Sequence, residues 1–224
     1  MHVTPIVGFT IATPGYFDLA YECAARIRRY AGIDCLILTS EDRQKGYELK
    51  FDLPRLAGSR VFLFMDADAW LIRDVSLDRF IGMEGFAAVP DPAALHPTFC
   101  QNDADVLNFP RERYCNTGVF LANSMDSRVI RAFDRATALL AEKRAGLHPL
   151  IQDVTEQSVL CKALFDEQLP TQFLPHEMNV YLHAAQYGHV DTIPARPLAV
   201  HAAGIPLHDK FRVLQQQAAV FSFA

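Results

Sequence analysis

Val61-Phe62-Leu63-Phe64-Met65-Asp66-Ala67-Asp68 is the stretch on which the reading of this chain turns. Five apolar residues in a row suit a strand and are too few for a core helix. Without polar alternation they predict a strand buried on both faces, as in a parallel sheet covered by helices. The run ends in two carboxylates. An unpaired charge cannot remain in a core, so Asp66 and Asp68 belong at the sheet edge. At i and i+2 their side chains share a face while extended geometry persists, and together they can grip one cation. Oxygen ligands of this kind suit Mg²⁺ or Mn²⁺. The bland alternative is a capping aspartate beside a solvated one.

The flanking sequence alternates strands and helices. Ile6–Ile11 is an apolar run stopped by Pro14-Gly15. From Phe17 to Tyr30, Ala20, Cys23, Ala24 and Ile27 recur at helical spacing, with Arg26, Arg28 and Arg29 near the negative end of the helix dipole. Gly32 breaks this helix, and Cys35–Thr39 predicts a second buried strand. Residues 41–59 are polar and irregular. Further strands are expected at Phe86–Val89 and Gly118–Ala122, and the intervening 91–115 is loop-like, a length that is usually functional. Ser127–Ala145 carries one apolar stripe (Val129, Ile130, Phe133, Ala136, Leu139, Leu140) and predicts an amphipathic helix. A second helix is expected around Val154–Phe165. After Pro170 the chain is broken into short pieces by Pro175, Pro194, Pro197 and Pro206. The pattern is that of an α/β protein with a mainly parallel sheet and ligand chemistry at the carboxyl ends of its strands.

Composition narrows the function classes. The 224 residues, half of them apolar, suit one domain with a sizeable core. No apolar run reaches 18 residues, so no membrane span is expected. Met1–Thr4 has neither a basic n-region nor a long apolar stretch, so no signal peptide is expected. A net charge of −5 argues against a nucleic-acid partner, because phosphate binding needs a Lys/Arg surplus. Cys23, Cys35, Cys100, Cys115 and Cys161 are odd in number and form no C-x-x-C pair. They read as free or buried thiols of a reducing cytoplasm rather than a zinc cluster or disulfide framework.

Three more motifs carry chemistry. His201, in Val200-His201-Ala202-Ala203-Gly204, could complete a metal shell, and Gly204 would let backbone N–H groups approach an anion. Alone, it reads more readily as a satisfied structural histidine. Asn116-Thr117-Gly118 joins a loop to a strand, and the Asn116 amide offers both donors and an acceptor to a hydroxyl-rich ligand. Asp153, Glu156 and Gln157 lie at i, i+3 and i+4 near a helix start, hence on one face. Acidic residues there also complement the helix dipole without any ligand.

In this order, the pieces resemble retaining sugar-nucleotide glycosyltransferases of the GT-A fold, notably the glycogenin and bacterial galactosyltransferase-like family 8. Thr10-Ile11-Ala12-Thr13 followed by Tyr16 is similar to the family's first strand and base-binding loop, with one residue fewer before the tyrosine. Lys50, sixteen residues before Asp66, matches a nucleotide-contacting lysine, and Phe64–Asp68 resembles the D-x-D metal motif. Ala88-Val89-Pro90-Asp91 is similar to the segment whose aspartate touches the donor sugar. Asn116–Val119 resembles N-[ST]-G-V. Asp153-Val154-Thr155-Glu156-Gln157 resembles D-x-x-D-Q with Glu156 in place of the second aspartate, and Leu174–Asn179 resembles L-P-x-x-x-N. The family's closing H-x-x-G-x-x-K-P-W is matched by His201 and Gly204 only. Leu207 stands at the lysine position, Lys210 follows three residues later, and the P-W pair is absent. Histidine motifs also close family 34-like galactosyltransferases.

The resemblance implies a mixed, mainly parallel, Rossmann-like GT-A sheet over 1–224, with a nucleotide-binding half at about 1–90 and a sugar and acceptor half at about 91–224. It implies a UDP-sugar donor, Mn²⁺ or Mg²⁺ as cofactor, a carbohydrate or other hydroxyl acceptor, and retention of configuration. Asp66, Asp68 and His201 would hold the metal. Thr10, Tyr16, Lys50, Ala67, Thr117, Gly204 and Lys210 would contact the nucleotide, and Asp91, Asn116 and Asn179 the sugar. Gln157, Glu156 or Asp153 would face the anomeric carbon. Two rivals remain at this level. One is a catalytically decayed nucleotide-sugar or glycan-binding module. The other is an aspartyl phosphotransferase, for which Trp70 is the wrong residue two positions past the second aspartate.

Overall fold

The computed structural model describes residues 6–91, 103–147, 155–182, 194 and 196–222. A six-stranded sheet carries the order β2–β1–β3–β6–β5–β7. Its strands are β1 (Val7–Ala12), β2 (Cys35–Thr39), β3 (Val61–Met65), β5 (Phe86–Pro90), β6 (Cys115–Asn123) and β7 (Thr171–Phe173). β1 pairs in parallel with β2 and β3, and β5 with β7; β6 alone runs antiparallel to its neighbours β3 and β5. A second sheet is small, with order β4 (Ala69–Leu71), β9 (Ala199–His201), β8 (Val180–Tyr181).

Two apolar layers cover the main sheet. Val61, Leu63 and Met65 of β3 face one layer with α1 (Phe17–Ala31), the small sheet and α6 (Leu207–Ser222). Phe62 and Phe64 face the other, with α2 (Arg43–Ala57), α4 (Ser127–Arg144) and α5 (Glu156–Asp166). Both faces of β3 are thus dry, which is why its sequence shows no alternation. In the second layer Phe133 of α4 meets four rings, with centroids at 6.4 Å from Phe51, 6.5 Å from Phe62, 6.4 Å from Phe86 and 6.0 Å from Phe120.

Several expectations are corrected. Cys35–Thr39 is an edge strand with an outward face, Leu36 being 48% exposed, and among the described residues nothing pairs beyond it in the sheet. Residues 41–59, expected to be irregular, hold α2, started by Asp42, whose side chain accepts from Lys45 N at 2.8 Å. Its inward residues are Gly46, Lys50, Phe51, Leu53, Pro54 and Ala57. The lysine, glycine and proline on that face hide the helical period. The tail is not all short pieces, since Pro206 is followed by the sixteen residues of α6. Asn116 and Thr117 are inside β6, which starts three residues earlier than expected. β4, unforeseen, follows the Asp pair after a turn. Of the loop-like 91–115, the described part holds a short helix, α3 (Asp103–Val106), and a 3-10 turn at Arg111–Arg113.

Four cysteines, Cys23, Cys35, Cys115 and Cys161, are free and buried; Cys100 lies outside the described residues. Among the described residues no helix is long and apolar enough to cross a membrane.

Phe133→Ala should cost about 3–5 kcal/mol of unfolding free energy, measured by urea denaturation. Asp126 caps α4, accepting from Arg128 N at 3.0 Å, and Arg128 holds its carboxyl below the usual range. A carboxyl depressed in the folded state stabilises above its unfolded pKa and loses that effect as pH falls through the folded one. Asp126→Ala should therefore cost about 1 kcal/mol near neutral pH. The gap from the parent should close below about pH 4 in urea titrations.

Candidate active site

A cavity of about 310 Å³ opens where β1 and β3 end and the antiparallel β6 begins. Strand direction explains the convergence. Carboxyl ends of parallel strands and the amino end of an antiparallel one reach the same sheet edge. There Asp66 N donates to Gly118 O at 2.7 Å, so the end of β3 is pinned to the start of β6.

The Asp pair does not stay extended. Ala69 N donates to Asp66 O at 2.9 Å, closing a turn directly after Met65. This turn, not strand geometry, brings the two carboxylates together, which corrects the reason given for their spacing. It also leads into β4, and β4 pairs with β9 in the register Ala69↔His201. His201 is delivered beside the Asp pair by that pairing, and Ala202 N donates to Asp68 O at 2.9 Å to hold the segments together. His201 Nε2 lies 3.4 Å from Asp68 Oδ1 and 3.9 Å from Asp66 Oδ2. One ligand atom from each of Asp66, Asp68 and His201 falls within 4.8 Å of the others.

Two carboxylate oxygens and an imidazole nitrogen suit Mn²⁺ or Mg²⁺, with the nitrogen favouring Mn²⁺. The surroundings leave room for the group. A Cβ at Gly118 would stand 2.3 Å from His201 Cε1 and 2.9 Å from Asp66 Oδ2, so only glycine fits there. His201 Nδ1 is buried and has no hydrogen-bond partner among the described residues. Burial would raise the Asp68 pKa, but the contacts with His201 and Lys210 outweigh it and hold this carboxyl well below the usual range.

The cavity wall includes Tyr16, Lys50, Asp66, Ala67, Asp68, Thr117, Glu156, Gln157, His201, Gly204 and Lys210, so most of the expected site residues are brought together. Asp91, Asn116 and Asn179 sit just behind. Gln157 Nε2 donates to Asp91 Oδ2 at 2.7 Å, and Gln157 Oε1 accepts from Thr117 N at 3.0 Å and Asn116 Nδ2 at 3.2 Å. Asn116 Oδ1 in turn accepts from Asn179 Nδ2 at 2.6 Å. With Asn116 1% exposed, this buried network orients Gln157 rather than presenting Asn116 to a ligand. Thr10 is fully buried in β1 and is not on the wall; its neighbours Ile11 and Thr13 are. Asp153 lies outside the described residues.

Sequence reasoning missed Arg43, Tyr47 and Tyr181 on the wall. The first two come from α2, which was not foreseen. Arg43 and Tyr47 recur at i, i+4, and the guanidinium lies 5.7 Å from the Tyr47 ring centre. Burial and then Glu156 push the Tyr47 phenol up to about 12, against the pull of Arg43, so it is a neutral hydrogen-bonding group.

The fold is the GT-A fold, shared with solved glycosyltransferases. Solved structures that share it include the bifunctional glycosyltransferase WbbM in its apo form, with TM-score 0.65 and 13% identity over 100% of this chain and 52% of WbbM, so that this chain spans about half of WbbM's length. The galactosyltransferase LgtC, in complex with donor and acceptor sugar analogues, superposes with TM-score 0.64 and 12% identity over 97% of this chain and 96% of its own. GlyE, a glycosyltransferase of Streptococcus pneumoniae TIGR4, gives TM-score 0.61 and 15% identity over 98% of this chain and 62% of its own. No protein-family model matches the sequence, and no curated protein does. At such identities the likeness is one of fold.

Gly118→Ala tests the crowding at this edge. The added methyl meets His201 and Asp66 together, and overpacking of this kind costs about 1–3 kcal/mol. Thermal unfolding should show that loss, and Mn²⁺ should stabilise this variant less than the parent.

Proposed function

We propose that this chain transfers a sugar from a nucleoside-diphosphate donor, a UDP-hexose, to an acceptor hydroxyl with the help of Mn²⁺ or Mg²⁺. The observation that carries this reading is the meeting of Asp66, Asp68 and His201 in a cavity at the carboxyl end of β3, on a fold shared with glycosyltransferases. A divalent cation held by these three residues stabilises negative charge on a leaving diphosphate. Tyr16, on the wall at the start of α1, offers a ring face to the base.

Gln157 and Glu156 begin α5 and line the same cavity as Asp66. Held by Asp91, Thr117 and Asn116, Gln157 is the group oriented towards the anomeric carbon. Glu156 supplies a carboxylate for developing oxocarbenium character, and Asp153 is a second carboxylate in this proposal. Asp91 and Asn179 orient the sugar through the network behind Gln157, and Gly204 lets backbone approach the diphosphate. Retention of configuration is supported by the motif resemblance to family 8. We assign the nucleotide half to about 1–90 and the sugar and acceptor half to about 91–224. A cytoplasmic setting is in keeping with four buried free thiols.

Nucleotide release from a panel of sugar nucleotides, followed chromatographically with Mn²⁺ and with EDTA, tests the reading. The parent should release UDP from one donor only when metal is present. Asp66→Asn and Asp68→Asn should each lower that rate about a hundredfold or more. Full activity of both variants in EDTA overturns the assignment. Nucleotide binding with no release in any acceptor mixture favours a binding module instead.

A further inference from the structure

Each carboxylate of the Asp pair is divided between two partners. Asp66 Oδ1 lies 3.5 Å from Lys50 Nζ, while its Oδ2 lies 3.9 Å from His201 Nε2. Asp68 Oδ2 accepts from Lys210 Nζ, while its Oδ1 lies 3.4 Å from His201 Nε2. The outer oxygens thus belong to lysines and the inner ones face His201. Both ammonium groups are nearly sealed from solvent, Lys50 being 2% and Lys210 5% exposed.

Neither lysine has much left to offer a ligand. Lys50 Nζ also donates to Thr117 Oγ1 at 3.3 Å and lies 4.8 Å from the centre of the Phe64 ring. Lys210 Nζ also donates to Ala202 O at 2.6 Å and lies 5.8 Å from the centre of the Tyr16 ring. An ammonium has three donors, and here two acceptors and an aromatic face surround each one. Both stems are anchored on inward helix faces, Lys50 with Phe51 and Leu53 on α2, and Lys210 in one row with Leu214 and Ala218 on α6.

We propose that Lys50 and Lys210 are fixed counter-charges of Asp66 and Asp68, not ligands of the donor phosphates. The cation consequently binds weakly alone and tightly only together with the diphosphate. This rests on the functional reading above, and electrostatics supplies the reason. The charged side chains on the wall already balance, with Arg43, Lys50 and Lys210 against Asp66, Asp68 and Glu156. A divalent cation alone leaves the cavity at about +2, and a diphosphate diester alone at about −2, where charge is poorly screened. Bound together, cation and diester restore neutrality, and cation with free UDP, which carries about −3, leaves only about −1, so each raises the affinity of the other by the same factor.

Binding of Mn²⁺ alone, read from the electron paramagnetic resonance signal of the free ion, tests this without turnover. Saturating UDP should tighten Mn²⁺ binding to the parent about tenfold or more. Lys210→Met keeps the stem and removes the charge, and should bind Mn²⁺ alone about tenfold more tightly than the parent. Lys210→Arg should keep the parent's affinity. Should Lys210→Met fail to fold by circular dichroism, Lys50→Met makes the same comparison at Asp66. Equal Mn²⁺ affinity in the parent and the Met variant overturns the proposal, as does an affinity unchanged by UDP that calorimetry shows to be bound. UDP that does not bind at all overturns the functional reading, and the Mn²⁺-only comparison then still judges the counter-charges.

Discussion

Two carboxylates at the end of a fully buried strand are the constraint around which this protein is arranged. β3 can be dry on both faces only if the charges that follow it are neutralised at once. Lys50 of α2 does this from one layer and Lys210 of α6 from the other, and His201 of β9 joins the pair from the small sheet. The turn at Asp66–Ala69, the pairing of β4 with β9 and the contact of β6 with the end of β3 all serve that meeting. The residues that meet the pair are also those that shape the cavity.

A second set of buried polar groups lies one step back. Asp91, Asn116, Asn179 and Gln157 hydrogen-bond one another from the end of β5, from β6, from the residue after the 3-10 turn at His176–Met178 and from the start of α5, with Asn179 Oδ1 left without a partner among the described residues. Buried polar networks of this kind define geometry as well as stability, because a partly satisfied one is costly. Here the network ties a catalytic candidate, Gln157, to the same strand that contacts Asp66.

Much of this was legible in the chain. Strands at 61–65 and 35–39 and the helix from 127 carry long apolar runs or a clean helical stripe, so hydropathy alone locates them. Asp66, Asp68, His201 and Gln157 stood out by residue type and spacing. Two of the failures share one physical pattern. The two long helices that were not foreseen, α2 and α6, place a lysine on the inward face where a hydrophobe is expected. A site residue occupying a core position erases the periodicity by which the helix is recognised. The edge position of β2 was missed because an apolar run does not say whether a neighbour strand exists.

The sequence by itself determined an α/β sheet ending in an aspartate pair, since burying five apolar residues and stopping at two charges admits few alternatives. Only the tertiary structure decided what those charges meet. β6 had to run antiparallel for Asn116–Gly118 to reach the edge, and an unforeseen strand, β4, had to pair with β9 for His201 to arrive. Lys50 and Lys210 are separated by 160 positions yet divide one carboxylate pair between them. Local sequence encodes periodicity and caps, whereas which distant charges neutralise each other follows from strand order and direction, set by packing of the whole sheet.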